Sequence, residues 1–211
     1  MRLLFARHGE SLANLRHEIS NRGLQYGLTF TGREQALALA LTLKNHKITH
    51  IHSSPLLRAI ETSIILANQL NLDYEIADPL REYDCGILEG NSDDAGWQRW
   101  HELFDQWTVQ KDWDYRLESG ESFLDIRNRF VPFIDKLINQ FGDTEAVVLC
   151  VSHGGIYRLM LPLVLRNVNE EIIKLHGIDY TTCIVSELAT EGLTCVEWNG
   201  KAMRMAGKLN G

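Results

Sequence analysis

Two kinds of apolar spacing alternate along this chain. Short apolar runs, Leu3 to Ala6 and Ala146 to Ser152, have strand length, and the second reads as a central strand covered on both faces, while Ile48 to His52 makes a further short strand candidate. Between them, apolar residues recur every three or four positions. Thr31-Gly32-Arg33-Glu34-Gln35-Ala36 opens an Ala- and Leu-rich run to about Lys44, which predicts a helix capped at Thr31. Pro55 suits the first turn of a second helix, running through Leu70. Phe123, Ile126, Phe130, Phe133, Ile134 and Leu137 form the apolar stripe of a third, from about Gly120-Glu121-Ser122 to Phe141, and a fourth runs from Gly154 to about Leu165. Further strands are expected around Tyr74 to Ile76, at Thr182 to Leu188 and at Leu193 to Trp198, the last two joined by a Thr190-Glu191-Gly192 turn. Residues 12–30 are polar and Gly-punctuated, giving a short helix plus loop that places Arg16, His17 and Arg22 near the first strand. Strands alternating with helices define an α/β class. With 211 residues and no repeat or linker, the expectation is one domain over 1–211.

Residues 91–119 break the pattern. They hold four of the five tryptophans, of which Trp97, Trp100 and Trp107, with Phe104, fall on one helical stripe. Seven acids against three bases make this stretch acidic, an unfavourable place to hold a second anionic group. The stripe is either core, an interface in a homodimer, or a lid whose tryptophans, Trp97 and Trp100 foremost, contact an aromatic or apolar part of a substrate.

Composition narrows the function classes. The net charge of -7 argues against a broad electrostatic footprint for nucleic acid or an anionic membrane. Cys85, Cys150, Cys183 and Cys195 show no CxxC spacing and call for neither disulfides nor zinc. The apolar run at the N-terminus is too short for a signal segment or a membrane span, so a cytoplasmic location is expected. His50 and His52 share a strand face, but no cysteine or carboxylate nearby in sequence completes a metal site.

The candidate chemistry begins where the first strand gives way to Arg7-His8-Gly9-Glu10-Ser11. Arg7 and His8 would point to opposite faces of a regular strand, so both reach one ligand only if the backbone departs from that geometry. A guanidinium, an imidazole and the amides of a helix start suit a phosphate. The strongest strand ends in the same way, at His153-Gly154-Gly155 before a helix. Ligand sites in open α/β sheets lie at the carboxyl ends of strands, so the two histidines support each other. Arg58 opens a helix after a strand and can grip phosphate with its planar fork, while the loop from Leu80 to Gly90 supplies Glu82 and Glu89.

In order along nearly the whole chain, Arg7-His8-Gly9-Glu10, Leu28-Thr29 with Gly32, Gln35 and Ala36, Ser54 with Arg58 and Thr62, Leu80 with Glu82, Gly86 and Glu89-Gly90, and Val151-Ser152-His153-Gly154 resemble the histidine phosphatase, or phosphoglycerate mutase-like, superfamily. The resemblance implies a three-layer α/β/α fold with a central, mostly parallel mixed sheet. It implies His8 as a nucleophile forming a phosphohistidine, Arg7, Arg58 and His153 as holders of the phosphoryl group, and Glu82 as proton donor. Asn14 and the amides around Gly9 and Gly154 become further substrate contacts. No metal and no cofactor is required, and the expected substrate is a small phosphate ester. Gln25-Tyr26-Gly27 departs from the Asp, any residue, Pro of many relatives, and residues 91–119 have no family match. Phosphomonoester hydrolysis, in a branch resembling alpha-ribazole phosphatase and broad-specificity phosphatases, is favoured over phosphoglycerate mutation because the chain is shorter than typical cofactor-dependent mutases. A silent phospho-ligand binder comes last, since all five pocket residues are present.

Overall fold

The computed structural model describes residues 1–203. Seven strands form one mixed sheet: β1 (Arg2–Arg7), β2 (His50–Ser53), β3 (Glu75–Ile76), β4 (Val147–Ser152), β5 (Cys183–Ala189), β6 (Gly192–Trp198) and β7 (Lys201–Ala202). Their order is β3-β2-β4-β1-β5-β6-β7. The first four are mutually parallel, and the sheet turns antiparallel from β5 onward. Among the described residues seven α-helices accompany them: α1 (Leu12–Leu15), α2 (Phe30–Leu43), α3 (Leu57–Leu70), α4 (Asp94–Thr108), α5 (Phe123–Phe141), α6 (Gly154–Val164) and α7 (Glu170–His176). Among the described residues no helix is long and apolar enough to cross a membrane.

The two-residue period of the strands sorts the core into two layers. Leu4 and Ala6 of β1, with Leu149 and Val151 of β4, face α2 and α3 through Leu39, Ala40, Leu43, Ala59 and Leu66. Leu3 and Phe5, with Val148 and Cys150, face the other way, into a larger cluster that includes Leu103 and Trp107 of α4, Ile126 and Phe130 of α5, and Ile156 and Met160 of α6. Helices on both faces of a sheet buried on both faces make the three-layer arrangement.

Two helix starts differ from the sequence expectation. The cap of α2 is Thr29, whose hydroxyl accepts from Gly32 N–H at 2.9 Å, and not Thr31. Leu28 is held extended by a bridge to Ser11, and Thr29 N–H donates to Glu10 O, so the chain is free to coil immediately afterwards. α3 begins at Leu57, two residues beyond Pro55. Ser54 Oγ accepts Leu56 N–H at 3.3 Å and holds that stretch in a turn. α7 and β7 had no counterpart in the sequence reading, because each is short and weakly patterned.

α4 is anchored to the sheet layer beneath it. Asp93 caps it through Gly96 N–H, Leu103 and Trp107 enter the larger core cluster, and Trp97, Trp100 and Phe104 stay partly buried on the flank. The tryptophan stripe therefore divides: Trp107 is core, whereas Trp97 and Trp100 border a cleft.

Candidate active site

Three adjacent parallel strands finish level with one another. Arg7 of β1 pairs with Ser152 of β4, and Ser53 of β2 pairs with Val151. The residues that follow these ends, His8, His153 and the Ser54-to-Arg58 turn, consequently meet at one edge of the sheet. His8 N–H donates to Ser152 O and Ser54 N–H to Val151 O, tying all three together.

His8 is 2% exposed and fixed at both ring nitrogens. Nδ1 lies 2.6 Å from Gly9 O, which calls for a proton on Nδ1. Nε2 is then the bare nitrogen, and it receives Arg58 Nε–H at 3.1 Å. Burial, then the Arg58 and Arg7 cations, hold the imidazole well below its ordinary pKa, so it is neutral near pH 7. Burial also brings the Arg58 guanidinium down to about 10, which leaves it a cation. Thr62 Oγ1 donates to Arg58 O at 2.8 Å and accepts Gly9 N–H at 3.2 Å, linking the two segments.

His153 stands edge-on to His8, with centroids 5.0 Å apart. Its Nε2 is 2.6 Å from Ser54 Oγ, and its Nδ1 is buried with no partner. Arg7 reaches the same cleft with Nη1 anchored on Ile178 O at 2.8 Å and its guanidinium 4.3 Å over the Tyr180 ring. Arg7 Nε has no partner either. Arg7 Nε and His153 Nδ1 thus leave two buried polar atoms beside the neutral His8 without a protein partner.

Glu82 arrives from a different direction. Ser152 Oγ bonds Leu80 O at 2.5 Å, and Arg129 of α5 clamps the loop through Pro79 O, Arg81 O and the Glu121 carboxylate. Its carboxylate accepts the N–H groups of Gly155 and Ile156, at 2.9 and 2.7 Å, at the start of α6. Burial pushes the carboxyl above its ordinary pKa, against the opposing pull of the Tyr83 N–H, Arg58 and the two α6 amides. The fit at α6 is tight. A Cβ on Gly155 would sit 2.5 Å from Tyr83 Cε1 and 2.8 Å from both Glu82 carboxylate oxygens. We expect Gly155→Ala to displace Glu82 and lower kcat by about tenfold or more, read from steady-state kinetics with a circular-dichroism check of folding.

Arg7, His8, Arg58, Glu82, Asn14, Gly154, Trp97 and Trp100 all line one cleft of about 220 Å³. His153 sits behind it against His8. Asn14 Oδ1 is taken by Ser11 N–H and Oγ–H in the cap of α1, leaving its side-chain amino group for the cleft. Gly9 does not line the cleft. Its amide is used by Thr62, and a Cβ there would lie 2.3 Å from Gly32 O, so Gly9 and Gly32 are small to let two backbones cross. Glu89 holds the Asn21 and Arg22 amides from outside the cleft.

The sequence reading missed three residues. Tyr180 carries Arg7, Arg158 lines the cleft one turn into α6, and Arg129 holds the Glu82 loop. Only Arg129 left a sequence signal, as a charged residue three positions after Ile126 and beside Phe130 in an apolar helix stripe. At the far edge of the sheet, His52 Nδ1 lies 3.8 Å from Glu75, and among the described residues no group of three or more His, Cys, Asp or Glu is gathered for a metal ion.

Residues 3–201 match the family model of the histidine phosphatase superfamily, branch 1. The chain belongs to that superfamily. Among its relatives, a bifunctional protein of Mycobacterium tuberculosis is 32% identical over 196 residues, which cover 92% of this chain and 52% of that protein. A 6-phosphofructo-2-kinase/fructose-2,6-bisphosphatase of Gallus gallus is 32% identical over 172 residues, covering 81% and 34%. The chain thus spans about half, or less, of the length of these curated relatives. The alpha-ribazole phosphatase of Shigella flexneri superposes with a TM-score of 0.78 at 25% identity, over 98% of this chain and 100% of that one. YhfR of Bacillus stearothermophilus, at 22% identity and a TM-score of 0.79, shares the fold over 96% and 98%. The superfamily member described here therefore has phosphatases for neighbours, with its sheet-end histidines set in the fold they share.

Proposed function

We propose that this chain is a metal-independent phosphomonoesterase that works through a phosphohistidine on His8. The observation that carries the reading is the pinned His8 ring, with Nδ1–H on Gly9 O and a bare Nε2 facing the Arg58 guanidinium. Arg7 and Arg58 would face the equatorial oxygens of a phosphoryl group and supply the charge that such a transfer needs, with His153, kept neutral by burial and the neighbouring cations, as a further hydrogen-bonding group. Nε2 attacks phosphorus as the ester P–O bond breaks, and Glu82 gives its proton to the departing alcohol oxygen. Water then attacks the phosphohistidine, its proton passes to the Glu82 carboxylate, and the N–P bond breaks to restore neutral His8 and release phosphate.

The reading is tested by phosphate release from a panel of monoesters in the presence of chelator. Hydrolysis is expected; isomerisation of 3-phosphoglycerate on addition of bisphosphoglycerate, without phosphate release, would make it a mutase instead. Silence in both assays would leave a phospho-ligand binder.

A pH profile separates the two titrating groups. His8 acts neutral, so kcat/KM falls as pH drops through its lowered pKa; Glu82 acts protonated, so kcat/KM falls as pH rises through its raised one. Glu82→Gln removes the second titration, and the basic limb should vanish. The kcat/KM for alkyl phosphates, which reports phosphoryl transfer to His8 and not the later hydrolysis, is expected to drop by about 10²- to 10⁴-fold, and that for p-nitrophenyl phosphate far less, because that leaving group departs unprotonated. Equal losses of kcat/KM on both esters would deny Glu82 the role of acid.

A further inference from the structure

The cleft at His8 shares two of its walls with a second cavity. Phe104 and Arg158 line the cleft and also line this larger cavity, of about 840 Å³, between α4, α5, α6 and α7. An aromatic path joins the two. Tyr83, next to Glu82, stacks on Trp100 at 6.5 Å, and Trp100 stacks on Phe104 at 5.7 Å with ring planes 16° apart. Beyond Phe104 the groove is walled by Trp107, Phe123 and Leu159, and its rim leaves Val109, Trp113 and Leu163 exposed at 65%, 49% and 45%. Apolar side chains exposed together along one groove mark a binding surface more often than chance.

Charge points the same way. The groove carries Lys111, Arg127, Arg158 and Lys174 against Asp105 and Glu170, in a chain whose net charge is -7. Among the described residues Arg127, Arg158 and Lys174 make no salt bridge. With Lys111 paired to Glu170, the groove keeps a net positive charge in an acidic chain, which favours an anionic ligand as a whole over a cationic one.

Resting on the phosphatase reading, we propose that the substrate is the phosphate monoester of an extended apolar alcohol, whose phosphate lies at His8 and whose chain runs past Phe104 and Arg158 into this groove. α6 measures its length. Gly154 borders the phosphate and Leu163 the groove, nine residues apart, so the bound chain reaches about 13 Å along the helix. A cavity of this size holds an acyl or similar body with most of its surface covered. Short polar alcohols would leave it to water.

The test uses n-alkyl phosphates, methyl, butyl, octyl and dodecyl, below their micelle concentrations. Calorimetric Kd values are measured on full-length His8→Ala protein, which binds without turnover, and phosphate release on the unaltered chain. Each methylene wholly removed from water is worth about fourfold in affinity, so a half-open groove should tighten Kd by about tenfold or more from butyl to octyl. In the His8→Ala background, Leu163→Asp and Val109→Asp place a charge on the rim without disturbing the core, and each should weaken dodecyl phosphate by about tenfold relative to methyl phosphate. Ile76→Asp, on the edge strand β3, 51% exposed and outside the groove lining, should leave that ratio alone. A Kd independent of chain length overturns the proposal, as does a chain-length effect that neither rim variant alters. The unaltered chain releasing no phosphate from any ester, while Kd still tightens with length, would refute the hydrolase reading and keep the groove as an amphiphile site.

Discussion

Replacing His8 with alanine is expected to abolish phosphate release, by about 10⁴-fold or more in kcat, while leaving phosphate-ester binding within several-fold of its original strength. The asymmetry follows from the geometry. Arg7 hangs on Ile178 O and Tyr180 and so keeps its place when the imidazole is gone, while Arg58 gives up its bond to His8 Nε2 but remains buried in the first turn of α3 beside the cleft. Only the nucleophile is lost. Arg58 Nε–H, now bonded to His8 Nε2 at 3.1 Å, would face the ester directly, which favours binding without providing chemistry. Rapid-quench analysis of the unaltered chain should trap an acid-labile phosphoenzyme that is missing from the variant. A variant retaining more than about one per cent of kcat, or a phosphoenzyme persisting in it, would place the nucleophile elsewhere.

The second large effect is on stability. Trp107 is 1% exposed, donates its indole N–H to Tyr115 O at 2.8 Å and meets the Tyr83 ring edge-on at 5.4 Å. Trp107→Ala would leave a large cavity between α4 and the sheet layer and a carbonyl without its donor, a loss of about 3–5 kcal/mol. For a chain of this size the melting temperature should fall by about 10 °C. Trp100→Ala, at a half-buried position on the cleft, should cost clearly less stability. Thermal and urea unfolding of the two variants decide it, and equal melting temperatures would mean that α4 is not held by Trp107. Because Tyr83 adjoins Glu82, a partly folded Trp107→Ala protein should also turn over more slowly.

Several elements are legible in the sequence alone. β1, β4, α5 and α6 were marked by uninterrupted apolar runs or by three- and four-residue spacing, signals that survive because those elements are buried. Caps were read less well. Thr31 has the right chemistry, but Thr29 is the residue whose backbone is pinned extended by Glu10 and Ser11, and a cap belongs where coiling begins. Of the proposed contacts, Gly9 fell outside the cleft because the glycine answers a steric demand from Gly32, which lies 23 positions away along the chain.

By itself the sequence determined the superfamily and most of the residues gathered at the sheet end: an arginine and a histidine at the end of one strand, a second histidine at the end of another, an arginine in an opening helical turn, and a glutamate in a glycine-punctuated loop. These are local facts, set by residue type and spacing. Tertiary structure alone decided which nitrogen of His8 is free, since that depends on Gly9 O and Arg58 together, and that Glu82 is held by the first amides of α6. It also decided that Trp107 is core while Trp100 faces the cleft, and that Arg158 stands between the cleft and the groove. The reason is the strand order β2-β4-β1, which brings Arg58, His153 and His8 side by side across 145 positions of chain, from His8 to His153. Periodicity reports which face of an element is buried, but carries no information about which element will cover it.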